Sequence, residues 1–434
     1  MKRLSLYLIF SFIFLNAFAQ NAATSFEVDG MKVILKPTAK EIIHITMYYR
    51  GGLANYPAEK AGLENLALAG ATECGTKTFN KDAFKDRADA FGIAIGGSSS
   101  YDYGNISVNC ISKYFHEGWG LFSEAIKAPT FEEREFGMLK EKVLSSVKES
   151  EADPDSHLDK LSIKNAFAGT PYVNDPVGDE KSLVNITAAE VKKYYYDQLL
   201  NKKRMFLVVV GKVSKEEITR KIKESFAGLL SKNYTSTTYK APQFVTGTVV
   251  SENRKLATNY ITGAVSAPKM TDKDYVAYKL AISILSDRLF KEIRTKRNLS
   301  YAPYAYSTNR MLPFGIMYVS TTDPKASVQV MVDEVKRLKR EGFYESELRD
   351  AKSGFITNNY MKEESTSAIA SALGNAEVIG DWRIAEQMPD MINKVTLREM
   401  NETLKYFDKI RWTYLGDKKL LDEAGAAFRT SFVN

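Results

Sequence analysis

"FEEREFGMLK", residues 131–140, returns 212 positions later as "FYESELRDAK", residues 343–352, with Phe131/Phe343, Glu133/Glu345, Glu135/Glu347 and Lys140/Lys352 in register. A second match closes each half: "NITAAEVKKYY" (185–195) parallels "KVTLREMNETL" (394–404), 209 positions on. Thr187 with Glu190 and Thr396 with Glu399 have the Thr-x-x-Glu spacing of a capping box, in which hydroxyl and carboxylate satisfy free amides at a helix start. Each of these helices leads into a β-rich run ending in glycine, "MFLVVVG" (205–211) and "RWTYLG" (411–416). Matched signals at nearly one offset mean an internal duplication, with two homologous domains of about 200 residues each.

Between the halves, "SKNYTSTTYKAPQF" (231–244) is polar, β-branched and without helical period, which makes it the expected linker. The domains then run over 20–230 and 245–434. In the first, "KVILKPT" (32–38) and "IIHITMYYRGG" (42–52) are predicted strands, followed by a helix over 61–76 and a second around 81–92. "IAIGGSSSYDYGNISVNCIS" (93–112) is a predicted hairpin, and amphipathic helices fill 115–165. Strands and helices segregated in this way predict an α+β fold, in which each domain is a mostly antiparallel sheet packed against helices.

A length of 434 residues is more than one ordinary core holds, in agreement with two domains. Lys2 and Arg3, an apolar run over 4–15 and Ala17-Phe18-Ala19 form a secretory signal peptide, residues 1–19. The mature chain is expected to be exported, periplasmic or secreted, and no later stretch has the ~20 apolar residues of a membrane span. The formal charge is +7, but basic residues are interleaved with acids, as in "KRLKREGFYESELRDAK" (336–352), which speaks against a nucleic-acid surface. Cys74 and Cys110 are the two cysteines, and they are expected either as buried thiols or as a single bridge.

The helix over 61–76, "AGLENLALAGATECGT", has apolar spacing through Leu63, Leu66, Ala67 and Gly70. His44, His116 and His157 are the three histidines of the chain, and none lies three or four residues from another. A peptidase zinc site needs two such imidazoles on one helix, a third ligand and a glutamate as general base. This chain is therefore expected to hold no metal of its own. Glu64, Glu73, Glu149 and Glu151, as glutamates on helices, are expected to be solvated rather than to build an acid–base site.

The stretch "YRGGLANYPAEKAGLENLALAGATECGTKTF" (49–79) resembles the start of the pitrilysin/insulinase family of inverted zincins, which includes the mitochondrial processing peptidases. Active members have His-x-x-Glu-His in this helix. On that frame Asn65, Leu68 and Ala69 stand at the two histidines and the glutamate between them. The family's third ligand is a glutamate on a later helix, and "KEKVLSSVKESEADPD" (140–155) has Ser145 or Ser146 at that place.

"DRLFKEIRTKRNLSYAPYAYS" (287–307) is similar to a second signature of the same family, an arginine with a tyrosine seven residues later. Arg294 and Tyr301 fill those places, with Arg297 as the competing arginine. The resemblance implies that the pair hydrogen-bonds the substrate carbonyl and the oxyanion that forms from it. Guanidinium and phenol are both donors, as such an oxyanion requires. The glycine-rich loop that often precedes this signature is missing from "LAISILSDRLF" (280–290). In the hairpin, the resemblance places an edge strand that pairs with extended substrate, and Gly96, Gly97 and Ser98 would allow close backbone approach. A β-bulge or turn explains the same glycines.

The resemblance implies a non-catalytic subunit of an exported zinc endopeptidase heterodimer, acting on peptides. The partner would be a zinc-binding peptidase subunit of the same family, and this chain, inactive alone, would supply Arg294 and Tyr301. The other reading is a non-enzymatic peptide-binding or structural protein on the same scaffold, like the core subunits of some respiratory complexes.

Overall fold

The computed structural model describes residues 22–241, 244 and 248–429. The expected signal peptide lies outside them, as do positions 242 and 243 of the expected linker, whose remaining residues form neither helix nor strand.

Two compact units emerge, and they interleave the sequence halves. The first takes residues up to 144, 176–237 and 361–378; the second takes 145–175, 238–360 and 379 onward. Each unit is thus built mainly from one half and borrows a segment from the other.

The first unit is organised by a sheet of β1 (Thr24–Val28), β2 (Met31–Pro37), β3 (Ile42–Arg50), β4 (Ala94–Ser99), β5 (Tyr103–Ile111) and β6 (Met205–Gly211), in the order β1-β2-β6-β3-β5-β4. The β2–β6 pair is parallel and the others are antiparallel. Every residue of β6 is buried, as a central strand covered on both faces requires. One face carries the helices Leu63–Glu73 and Phe115–Lys127. On the other lies the borrowed helix Thr366–Ile379, whose Gly374 faces the ring of Tyr48 so closely that a Cβ would stand 2.1 Å from it. Glu377 on that helix receives Arg50 at 2.5 Å and Lys32 at 2.7 Å from the sheet.

The second unit repeats the plan. Its sheet is β7 (Val249–Asn253), β8 (Asn259–Ser266), β9 (Tyr304–Ser307), β10 (Phe314–Thr321) and β11 (Arg411–Gly416), ordered β7-β11-β8-β10-β9. Only the β7–β11 pair in it is parallel. Strand for strand this is the order β2-β6-β3-β5-β4, so β9 is the counterpart of β4. The borrowed helix Pro154–Ala166 is fixed to β11 and β8. Asn165 donates to the Trp412 carbonyl at 2.9 Å, and Thr262 donates to Ser162 at 2.9 Å. Both sheets therefore match the α+β architecture that the sequence predicts.

The repeated residues have repeated jobs. Both Thr-x-x-Glu boxes close at their helix starts. Lys140 donates to the carbonyls of Val184 and Ile186, and Lys352 to that of Asn393, just ahead of each box. Phe131 and Phe343 are both buried.

Cys74 and Cys110 are buried, free thiols, so no bridge joins them. Burial pushes the first up to about 12 and the second to about 11. With almost no thiolate and no access, neither should react with Ellman's reagent in the folded protein. Two equivalents should appear in guanidinium without reductant; none there would mean a disulfide.

Candidate functional site

The helix Leu63–Glu73 begins after Gly62, which sits at φ 91°, a left-handed conformation that glycine enters without strain. From Leu63 to Thr72 every residue is buried. The helix comes so close to the β4–β5 hairpin that a Cβ on Gly97 would stand 2.1 Å from the Leu68 carbonyl. One on Gly104 would meet the Leu68 side chain at 2.2 Å. Gly97 is thus explained by this packing, whereas nothing lies within 4 Å of a Cβ on Gly96. The β4–β5 register runs unbroken from Ala94↔Asn109 to Ser99↔Gly104, so the glycines do not mark a bulge. Ser98 accepts from the Asn105 amide at 3.2 Å, and β4 forms an edge of its sheet.

The three positions aligned with the family's metal-binding motif serve this packing. Asn65 accepts a hydrogen bond from the Ser99 backbone amide at 3.1 Å, tying helix to strand. Leu68 and Ala69 are buried. Ser145 and Ser146 are exposed on the helix Glu133–Ala152. Among the described residues, no group of three or more His, Cys, Asp or Glu side chains stands where it could hold a metal ion.

Glu64 corrects the expectation of a solvated glutamate. It has no exposed surface, and its Oε2 accepts from Arg204 at 2.6 Å, the Tyr194 hydroxyl at 2.6 Å and Asn55 at 3.2 Å. Burial raises the Glu64 carboxyl; Arg204 pulls it back, followed by Tyr194 and Asn55. Burial also opposes the Arg204 charge, but the Glu64 carboxylate more than offsets this and holds it above its ordinary value. Arg204 further donates to the carbonyls of Arg50 at 2.7 Å and Gln198 at 3.1 Å. The pair spans 140 residues of sequence, and no local pattern signals it. Saturated with partners and sealed from water, it fixes the helix and carries no reaction. Glu73 pairs with Lys142, and Glu149 is exposed. Glu151 belongs to a separate cluster, accepting from His157 at 2.6 Å and Lys160 at 3.1 Å.

The second unit presents Arg294 and Tyr301 together. The helix Tyr275–Leu289 runs into a π-helical turn over Phe290–Thr295, and Asn298 at φ 51° reverses the chain toward β9. Arg294 donates to the Tyr301 carbonyl at 2.7 Å, and its guanidinium carbon lies 4.0 Å from the centre of the Tyr301 ring. Tyr301 is 80 % exposed. Among the described residues, neither Nε nor Nη2 of Arg294 nor the Tyr301 hydroxyl has a protein partner. Arg297 is committed elsewhere: its Nη1 donates to the Glu292 carboxylate at 2.6 Å and to the Glu292 carbonyl at 2.8 Å. Glu292 is buried, which works against its charge, yet Lys296 and Arg297 hold its carboxyl below the usual range. Of the two arginines, Arg294 has donors to spare. The arrangement offers two open donor groups for an oxygen of a ligand; neither is a base or a nucleophile.

A family model described as insulinase, peptidase family M16, matches residues 57–179, and one described as peptidase M16 inactive domain matches residues 185–355. A non-peptidase homolog, YmxG of Helicobacter pylori, is 25 % identical over 411 residues, covering 90 % of this chain and 92 % of that one. The crystal structure of a peptidase M16 inactive domain from Pseudomonas fluorescens superposes with a TM-score of 0.82 at 18 % identity, covering 92 % of this chain and 98 % of that one. The periplasmic protease PqqL from Escherichia coli superposes with a TM-score of 0.75 at 14 % identity; the match covers 93 % of this chain and 48 % of PqqL. At such identities the structural likeness establishes the fold, while the family models and the H. pylori homolog reach the lineage. The chain belongs to the insulinase family, peptidase family M16, and within it to the homologues that are inactive as peptidases.

Proposed function

We propose that this chain is the non-catalytic subunit of an exported zinc-dependent endopeptidase heterodimer, closing a peptide chamber with a zinc-binding subunit of the same family. The observation that carries this reading is the open donor set of Arg294 beside an exposed Tyr301, in a chain whose corresponding metal helix is packed shut. Donors aimed at an oxygen are of use to hydrolysis only where an ion and a water are supplied by another molecule. PqqL supports the pairing: it is a periplasmic protease about twice as long as this chain, whose fold matches roughly one half of it. The edge strand β4 would supply backbone groups to an extended peptide. Zinc would reside in the partner, and the predicted signal peptide would place both subunits in the periplasm or outside the cell.

The test is reconstitution. Mixed with a family member that has an intact His-x-x-Glu-His helix, the purified chain should co-elute with it. It should also raise zinc-dependent peptide hydrolysis at least tenfold over either chain alone. Separate elution, or activity equal to the sum of the two, rejects the proposal.

A further inference from the structure

We propose that the open face of β9 is a subsite for a basic side chain, lysine or arginine, of a bound peptide, with Tyr304 and Tyr306 as its floor and Asp155 and Asp159 as its counter-charges. It rests on the reading of the chain as a peptide-binding subunit, but not on catalysis by a partner.

Tyr304 and Tyr306 are two residues apart on one strand and so project from the same face. Each keeps more than a third of its surface exposed, 39 % and 37 %. The intervening Ala305 is buried on the opposite face, against the helix Tyr275–Leu289. Tyr304 stacks on Tyr318 of β10 at 4.6 Å with an interplanar angle of 17°, and lies 5.9 Å from Tyr306. Three rings thus form a continuous aromatic surface at the sheet's edge. The outward backbone amide of Ala305 is already taken by the Ser286 hydroxyl at 2.9 Å, so this edge offers its face rather than its backbone. In that respect it differs from its counterpart β4.

Charge decides the occupant. Asp155 accepts a hydrogen bond from the Tyr318 hydroxyl, which places the carboxylates of the helix Pro154–Ala166 beside the rings. Burial raises the Tyr304 phenol to about 12, and the charges of Asp159 and Asp155 add to the rise. Burial also raises Asp159, and the like charge of Asp155 adds to this; Arg310 is the cation that opposes it. Two carboxylates against one guanidinium leave room for a further cation, which would relieve their repulsion. A tyrosine face attracts the same cation through its quadrupole. The chain displays this chemistry three residues away, where the Arg294 guanidinium lies over the Tyr301 ring. A basic side chain entering here would find aromatic faces beneath it and carboxylates beside it; an acidic one would meet only repulsion.

The experiment measures fluorescence anisotropy of the full chain, without partner, with two labelled ten-residue peptides. One alternates lysine with serine, and the other has glutamate in place of lysine. The lysine peptide should bind about tenfold more tightly, with the gap shrinking as salt rises. Asp159→Asn and Tyr304→Ala should each weaken the lysine peptide about fivefold, and Asp159→Lys, at an exposed position, should reverse the preference. Equal binding of both peptides, or a preference untouched by all three variants, overturns this inference alone. Binding of neither overturns it and leaves the heterodimer to be judged by reconstitution.

Discussion

Replacing Arg204 by alanine should cost the first unit about 3–5 kcal/mol of stability, because it strands the Glu64 carboxylate in the interior without its counter-ion. Glu64 has no exposed surface, and of the donors that reach its Oε2 only Arg204 is charged. The alanine also leaves the carbonyls of Arg50 and Gln198 without a donor they now have. Such a loss is a large part of the stability of an ordinary domain. Glu64→Gln should cost less, since the neutral amide still accepts from Tyr194 and Asn55. The double change Glu64→Leu with Arg204→Met removes both charges together and should recover much of the loss, as apolar replacement of a buried pair does elsewhere. Urea denaturation followed by circular dichroism reads all three. A shift below about 1 kcal/mol for Arg204→Ala would mean that water reaches the pair, and the sealed packing described for this helix would be wrong.

The second large effect is on activity. In the reconstituted heterodimer, Arg294→Ala should lower kcat/KM by about a hundredfold to a thousandfold, the range seen when one oxyanion donor is removed. Most of the loss should fall on kcat, because the donor acts on charge that develops in the transition state. Arg294→Lys should recover little, since an ammonium cannot reproduce the planar fork that lies over Tyr301. Arg297→Ala should matter much less, as Arg297 spends its donors on Glu292. An Arg294→Ala pair with unchanged kcat/KM would favour the non-enzymatic, structural reading of this scaffold.

Sequence and structure divide the account of this protein along a physical line. The duplication was legible because capping boxes and repeated residues act locally: Thr187 and Thr396 close their boxes with residues three positions on. The lack of a histidine pair was legible because it is a matter of counting, and the place of Arg294 and Tyr301 because both belong to one short segment. Glu64 was misjudged for the opposite reason. Its surroundings come from Asn55, Tyr194 and Arg204, and a helical glutamate looks alike in sequence whether it faces water or a buried guanidinium. Gly97 reads equally well as a bulge or a substrate contact until the Leu68 carbonyl is seen against it.

By itself, then, the sequence determined two repeated α+β domains, the want of metal ligands in the opening helix and the one short segment that carries Arg294 and Tyr301. The tertiary structure alone decided that each sheet borrows a covering helix from the other half, that Glu64 is an internal ion pair, and that Arg297 is spoken for while Arg294 is open. The reason is one of range. Caps, periodicity and composition are properties of neighbouring residues, whereas burial and charge pairing depend on which distant segments the sheets bring together.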